Sequence, residues 1–147
     1  MILFSLMACN DNEPSMKRIN ELEKQLGDIE NKYEKTEADF NKLVDECAKF
    51  DNFLRENNNP KPEMQLLRAY LQQYEDERVV ITQGIEYSYS QLNDLKYDFS
   101  EGLYDEKQRD EYLKSEEKEV KKLEAKLDYF LDRFEKQNEF IKSVEKQ

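Results

Sequence analysis

The sequence predicts an all-α fold, a long antiparallel three-helix bundle or coiled coil, and three observations support it. Charged residues make up 39% of the 147 residues and apolar residues 37%, whereas glycine and proline contribute three each. So few turn-forming residues favour a few long helices over a sandwich or a barrel. Apolar residues recur at alternating spacings of three and four, the period of a helical core stripe. Two short breaks, at 57–62 and 101–105, divide the chain into three stretches of similar length.

The first helix is predicted over about 16–57. Its stripe of core positions, here called the seam, is apolar at ten of eleven positions and keeps the spacing of three and four without a break, and the residues between seam positions are mostly Glu, Lys, Asp and Asn. Asn57-Asn58-Asn59 should end the helix, because Asn tolerates turn conformations and Pro60 disfavours helical geometry in the residue before it. The seam positions are Ile19, Leu22, Leu26, Ile29, Tyr33, Thr36, Phe40, Leu43, Cys47, Phe50 and Leu54.

The second helix is predicted over about 62–101. Pro62 suits a first helical position, the Glu63 carboxylate complements the helix dipole, and Gly102 provides a C-terminal stop. Its seam positions are Met64, Leu67, Leu71, Tyr74, Arg78, Ile81, Ile85, Ser88, Leu92, Leu95 and Phe99.

The third helix is predicted over about 106–146. Asp105 and Gln108 have the spacing of a capping box, in which each side chain accepts a hydrogen bond from the other's backbone N–H. Exposed pairs four residues apart, Asp132 with Lys136 and Glu117 with Lys121, should add a few tenths of a kcal/mol each. The seam positions are Leu113, Glu116, Val120, Leu123, Leu127, Phe130, Phe134, Gln137, Ile141 and Val144.

The three helices should pack side by side as one domain, residues 16–147. Each has about 40 residues and therefore a length of roughly 60 Å. Short connections force neighbouring helices to run antiparallel, and equal lengths let all three seams meet along one axis. An alternative, separate long helices that dimerise with other chains, would need longer linkers than the two short breaks provide.

Polar residues interrupt the seams at a few positions. Arg78 should lie level with Phe40, cover the seam with its aliphatic stem and reach the carboxylate of Glu37 or Asp132. Glu116 should lie near an end of the bundle, where it can reach water. We interpret the polar seam residues as features that fix helix register rather than as catalytic groups. These residues are Arg78, Ser88, Glu116 and Gln137.

The N-terminal residues have a different character from the rest. Residues 1–8 form an apolar run, MILFSLMA, which is too short to span a bilayer but matches the apolar core of a signal peptide. Cys9 follows, and then an acidic, Asn-rich linker over 9–15. No Lys or Arg precedes the apolar run, which departs from the ordinary signal-peptide pattern. In the alternative interpretation these residues are an unstructured tail with an incidental cysteine.

The block Leu6-Met7-Ala8-Cys9 resembles a lipobox, and the polar tail after it is similar to that of exported lipoproteins of the Bacteroidetes type. Together with the helical hairpin pattern, the chain resembles small helical lipoproteins of bacterial envelopes, one group of which is described as cell-wall-binding. The resemblance implies a signal-peptide remnant at 1–8, lipidation of Cys9 and a lipid-anchored position in the cell envelope, either periplasmic or surface-exposed. It carries over no ligand or partner.

Composition excludes several classes of function. The net charge is −11, and basic residues are interspersed with acidic ones, so nucleic acids and anionic lipid head groups should be repelled. The chain has no histidine, which removes the commonest general base and the Glu-x-x-His metal pattern of helical bundles. We therefore predict no enzyme activity, no cofactor and no metal site.

Apolar residues also occur on one side of the second helix away from its seam, and they form a candidate contact surface. Tyrosine and large aliphatic side chains are favoured at protein interfaces. A rotated second helix, which would make these residues the flank of the core, is the alternative. The surface would bind a protein or cell-wall partner, or a second copy of the chain. Its residues are Leu66, Val79, Val80 and Tyr87.

Two functional hypotheses follow from these observations. In the first, the protein is non-catalytic and lipid-anchored in the cell envelope, where it acts as a spacer, scaffold or protein-binding module. In the second, it is a cytoplasmic coiled-coil adaptor or a subunit of a larger assembly, and the lipobox resemblance is incidental.

Overall fold

The computed structural model describes residues 13–58 and 62–145, with side chains as far as residue 143. Three α-helices, each packed against the other two, make up an all-α three-helix bundle, which confirms the predicted fold. They are α1 (Glu13–Glu56), α2 (Glu63–Ser100) and α3 (Glu106–Glu145). Observed bounds lie within one residue of the predicted ones except at the start of α1. There, residues 13–15, which were expected in the linker, are helical, because Pro14 is tolerated in a first turn.

The predicted helix-stop residues adopt left-handed backbone conformations. Asn58 after α1 has φ 48° and Gly102 after α2 has φ 68°. The N–H of Gly102 donates to the Phe99 carbonyl at 3.2 Å and the N–H of Leu103 to the Asp98 carbonyl at 3.0 Å. This pair of bonds is a Schellman motif, which satisfies carbonyls that the helix itself leaves without donors.

The capping box at the start of α3 is confirmed. The N–H of Gln108 donates to Asp105 Oδ1 at 2.8 Å, and the N–H of Asp105 donates to Gln108 Oε1 at 3.1 Å. Two backbone donors that the helix leaves free are thereby satisfied.

The core follows the predicted seams along the whole bundle. Tyr33, Arg78 and Leu123 are partly buried, and every other seam residue up to Ile141 is buried. The side chain of Val144 lies outside the described residues. At mid-length, an aromatic cluster joins all three helices: the ring centroid of Tyr74 lies 5.1 Å from Phe40, 4.9 Å from Phe130 and 5.3 Å from Phe134.

Ion pairs between helices flank this core. Arg18 of α1 donates to Asp110 at 2.8 Å and to Glu117 at 2.7 Å, so the starts of α1 and α3 lie together. Within α3, the predicted Asp132–Lys136 pair is present at 2.7 Å, whereas Glu117, expected to pair with Lys121, accepts from Arg18. Further pairs join Lys32 to Asp128, Lys96 to Glu23 and Lys126 to Glu77.

Candidate functional site

The N-terminal predictions concern residues that the structure does not describe. The apolar run 1–8 and Cys9 both lie before residue 13, so lipidation of Cys9 stays a prediction. Over residues 13–58 and 62–145, no helix combines the length and apolar character needed to cross a membrane.

The four candidate contact residues on α2 are all exposed. The exposed fractions of Leu66, Val79, Val80 and Tyr87 lie between 50% and 59%. The alternative of a rotated helix is therefore wrong, because the predicted seam is buried and these side chains are not. Whether they contact a partner remains a prediction.

Two of the four line a groove between α2 and α3 with a volume of about 470 Å³. Val80 and Tyr87 are one heptad apart on α2 and form its apolar wall, and Glu116 and Leu123 of α3 lie opposite. Leu66 and Val79 do not line it. The structure thus divides the predicted surface into a groove and two separate exposed side chains.

Gly84 of α2 contacts the side chain of Leu123 in the groove. A Cβ atom at this position would lie 2.7 Å from Leu123 Cδ2, a distance that real Cβ atoms essentially never show. The absent side chain therefore lets Leu123 approach the backbone of α2. Gly84 was not among the candidate residues predicted from the sequence. The sequence feature that could have indicated it is a glycine in the middle of a helix. Such a glycine costs about 1 kcal/mol relative to alanine, so its presence suggests a packing requirement.

Glu116 brings a carboxylate to the same groove. Its side chain is only 8% exposed, and Oε2 has no hydrogen-bond partner. Burial, and secondarily the nearby Glu119, raise the pKa of the Glu116 carboxyl above its ordinary value. The expectation that Glu116 reaches water is wrong for this oxygen, which is buried although the residue flanks an open groove.

The two lysines at the groove already have carboxylate partners. Lys122 Nζ lies 2.6 Å from Glu119 Oε1, and Lys126 Nζ lies 2.6 Å from Glu77 Oε2. Both therefore neutralise other acids of the chain, and Glu116 is left as the uncompensated charge of the groove.

The other polar seam residues are buried in the core or paired with neighbouring side chains of the bundle. The Arg78 guanidinium lies 5.5 Å from the Phe40 ring centroid and 3.4 Å from Glu37, which confirms its predicted neighbour and one of its two predicted partners. Gln137 and Ser88 are buried. Cys47 is a free, buried cysteine, and burial raises the pKa of its thiol, so it matches the predicted small apolar core residue.

No group of His, Cys, Asp and Glu within residues 13–58 and 62–145 has an arrangement that could hold a metal ion. Comparison of the chain with protein-family models, with curated proteins and with solved structures gives no match.

Proposed function

We propose that this chain is a non-catalytic, lipid-anchored protein of the bacterial cell envelope that acts as a spacer, scaffold or protein-binding module. The observation that carries the proposal is the block Leu6-Met7-Ala8-Cys9, in which a small residue and a cysteine end an apolar run just before a long helical bundle. Acyl chains on Cys9 would hold the bundle at a membrane, since each buried CH₂ adds about 0.8 kcal/mol.

The start of α1 fits an anchor at Cys9. Three residues lie between Cys9 and Glu13, so the four Cα–Cα steps that join them span at most about 14 Å. An anchored bundle would therefore begin close to the lipid surface. With 44 residues in α1, it would reach roughly 65 Å from that end. A spacer or scaffold requires this combination of a short tether and a long body.

The end of the bundle nearest the anchor carries exposed tyrosines. Arg18 ties the start of α1 to Asp110, so the turn between α2 and α3 lies at this end. Tyr97, Leu103 and Tyr112 are exposed there. Tyrosine combines an apolar ring with a polar hydroxyl and is enriched at membrane–water interfaces. These side chains suit the end of a protein that stands on a membrane.

The second candidate is a cytoplasmic coiled-coil adaptor or a subunit of a larger assembly. The exposed apolar side chains of α2 favour it, because Leu66, Val79, Val80 and Tyr87 offer contact area that the bundle does not use.

The test is the intact mass of the protein purified from its native cells, combined with partitioning into detergent. Wild type should lack residues 1–8, carry acyl chains and enter the detergent phase. The Cys9→Ala variant should keep its N-terminal residues and stay in the aqueous phase. Cys47→Ala, which removes the buried cysteine, is the matched control and should partition like wild type. An unmodified wild-type chain that starts near Met1 and remains aqueous would favour the adaptor.

A further inference from the structure

We propose that the groove between α2 and α3 binds a basic side chain, the ammonium or guanidinium group of a Lys or Arg on an apolar segment of a partner protein. The site consists of the Glu116 carboxylate and an apolar wall made by Val80 and Tyr87, with Gly84 and Leu123 between them. It does not depend on the lipid anchor, because all of these residues belong to the bundle.

The charge of the ligand follows from Glu116. A buried carboxylate without a partner is costly and is normally paired with a cation or protonated. Glu116 Oε2 has no partner, and its residue is more than nine-tenths buried at the side of the groove. Oε2 itself is inaccessible, so a cation that enters the groove would approach the carboxylate at Oε1, which is not a buried atom, and would supply the missing counter-charge there.

No lysine of the groove fills this role. Lys122 and Lys126 are each 2.6 Å from another carboxylate, that of Glu119 and that of Glu77. Transferring either lysine to Glu116 would leave its present partner without a cation. An external basic group completes the charge balance without breaking an existing ion pair.

The apolar part of the ligand follows from the groove walls. Val80 and Tyr87 are more than half exposed, one heptad apart, on the side of α2 that faces the groove. A volume of about 470 Å³ falls within the range of ~300–1,000 Å³ that is usual for binding pockets. The aliphatic stem of a Lys or Arg, with an apolar neighbour from the same partner segment, would cover these side chains.

The partner is a different, basic protein rather than a second copy of this chain. Two copies would bring together molecules that each carry a net charge of −11. Residues 58–105, which contain α2, have four basic and nine acidic residues, so α2 makes its side of the groove negative and disfavours a second acidic copy over a basic segment.

The test uses n-hexylammonium as the probe and 1-hexanol as its uncharged counterpart, titrated against the unlipidated full-length chain carrying Cys9→Ala. Chemical-shift changes in the ¹H–¹⁵N NMR spectrum should saturate and concentrate at Gly84, Glu116 and Leu123. We expect hexylammonium to bind at least about fivefold more tightly than hexanol, which corresponds to roughly 1 kcal/mol.

Two matched pairs of variants separate charge from apolar contact. Glu116→Gln should abolish the preference for hexylammonium, while Glu135→Gln, on the exposed face of α3, should keep it. Tyr87→Ala should weaken both probes, while Val79→Ala, equally exposed but outside the groove, should weaken neither. Circular dichroism checks that each variant is folded.

Three results would each overturn the proposal. They are equal binding of the two probes, a preference for hexylammonium that survives Glu116→Gln, and shift changes that are absent or spread over the acidic surface. Failure of the Cys9 experiment would leave this result unchanged, because the probe titration is performed without an anchor.

Discussion

The Tyr74 hydroxyl donates a 2.7 Å hydrogen bond to Glu37 Oε1 from the middle of the aromatic cluster. Tyr74 is fully buried, and Glu37 also accepts from Arg78 at 3.4 Å. One carboxylate therefore satisfies the polar ends of two seam residues of α2. Burial, together with the Glu37 carboxylate, raises the pKa of the Tyr74 phenol far above its ordinary value.

Removing the Tyr74 hydroxyl should destabilise the bundle. Tyr74→Phe keeps the ring and loses a hydrogen bond to a charged acceptor, so the free energy of unfolding at pH 7 should fall by about 1.5–3 kcal/mol. Urea denaturation measures the change. Tyr87→Phe, at an exposed position, is the control and should change stability little. Equal effects of the two variants would contradict this role for the hydroxyl.

The same hydrogen bond predicts a loss of stability in alkali. The folded-state pKa of Tyr74 is raised, so its contribution is complete below the unfolded-state pKa of about 10 and declines as the pH rises above it. Between pH 9 and pH 11 the wild type should therefore lose more stability than Tyr74→Phe. Parallel urea denaturation of both proteins at the two pH values tests this. An identical decline would show that Tyr74 does not contribute.

Truncations of the seam should separate core residues from surface residues. Leu26 and Leu127 are fully buried on α1 and α3, so Leu26→Ala and Leu127→Ala should each lower the free energy of unfolding by about 2–5 kcal/mol. Leu66→Ala removes the same atoms from an exposed position and should cost less than about 0.5 kcal/mol. A large cost for Leu66→Ala would mean that Leu66 is covered in solution, for example by a second copy.

Local sequence rules predicted the features that depend on one helix at a time. Heptad spacing predicted the helices and the buried faces, and the capping box at Asp105 and the stop at Gly102 were predicted from residue type. The position of Arg78 beside Phe40 was also predicted, because helices of equal length joined by short turns place these two residues at the same height in the bundle. These predictions succeed because the burial of apolar side chains and the backbone preferences of each residue agree, which leaves few alternative structures for each helix.

Features that depend on the offset between helices could not be predicted. Glu117 had a possible partner within α3 in Lys121, yet it accepts from Arg18 of α1. Ion pairs at or near the surface contribute only about 0.2–1 kcal/mol each, so the sequence cannot rank the pair within α3 against the partly buried pair with Arg18. The groove was missed for a related reason. It depends on where Gly84 meets Leu123 and on how α2 and α3 are rotated against each other.

Replacing the buried carboxylate of Glu116 should stabilise the bundle at neutral pH. Its folded-state pKa is raised, so its contribution is most favourable below the unfolded-state pKa of about 4.3 and becomes unfavourable as the pH rises. Glu116→Gln removes the charge and should raise the free energy of unfolding at pH 7 by on the order of 1 kcal/mol. The gain should shrink at pH 3.5, where the carboxyl is protonated in both states.

Urea denaturation of wild type and Glu116→Gln at the two pH values measures this difference, and comparison at equal pH cancels the titration of the other acids. Glu135→Gln, at an exposed position of α3, is the control and should show a gain at neither pH. A loss of stability in Glu116→Gln at pH 7 would contradict the assignment of an uncompensated charge.

The two glycines inside helices should differ in how much stability they gain on replacement by alanine. A Cβ at Gly27 would meet only Tyr89 Oη at 3.9 Å, so Gly27→Ala should gain helix propensity of about 0.5–1 kcal/mol. A Cβ at Gly84 would lie 2.7 Å from Leu123 Cδ2, the end of a flexible and partly buried side chain that must move aside, so Gly84→Ala should gain less stability than Gly27→Ala.

Shortening Leu123 should remove the difference between the two glycines. In a Leu123→Ala background the methyl groups that a new Cβ would meet are gone, so Gly84→Ala should gain as much stability as Gly27→Ala does in the wild type. A double-mutant cycle measured by urea denaturation gives the coupling free energy between positions 84 and 123, which should be about 0.5 kcal/mol or more. Because Gly27 lines a groove between α1 and α2 that Leu123 does not line, Gly27→Ala should add independently to Leu123→Ala. Equal gains at both glycines in the wild type would mean that α2 and α3 are not held together at Gly84 and Leu123, and the groove would then lack the geometry that the binding proposal requires.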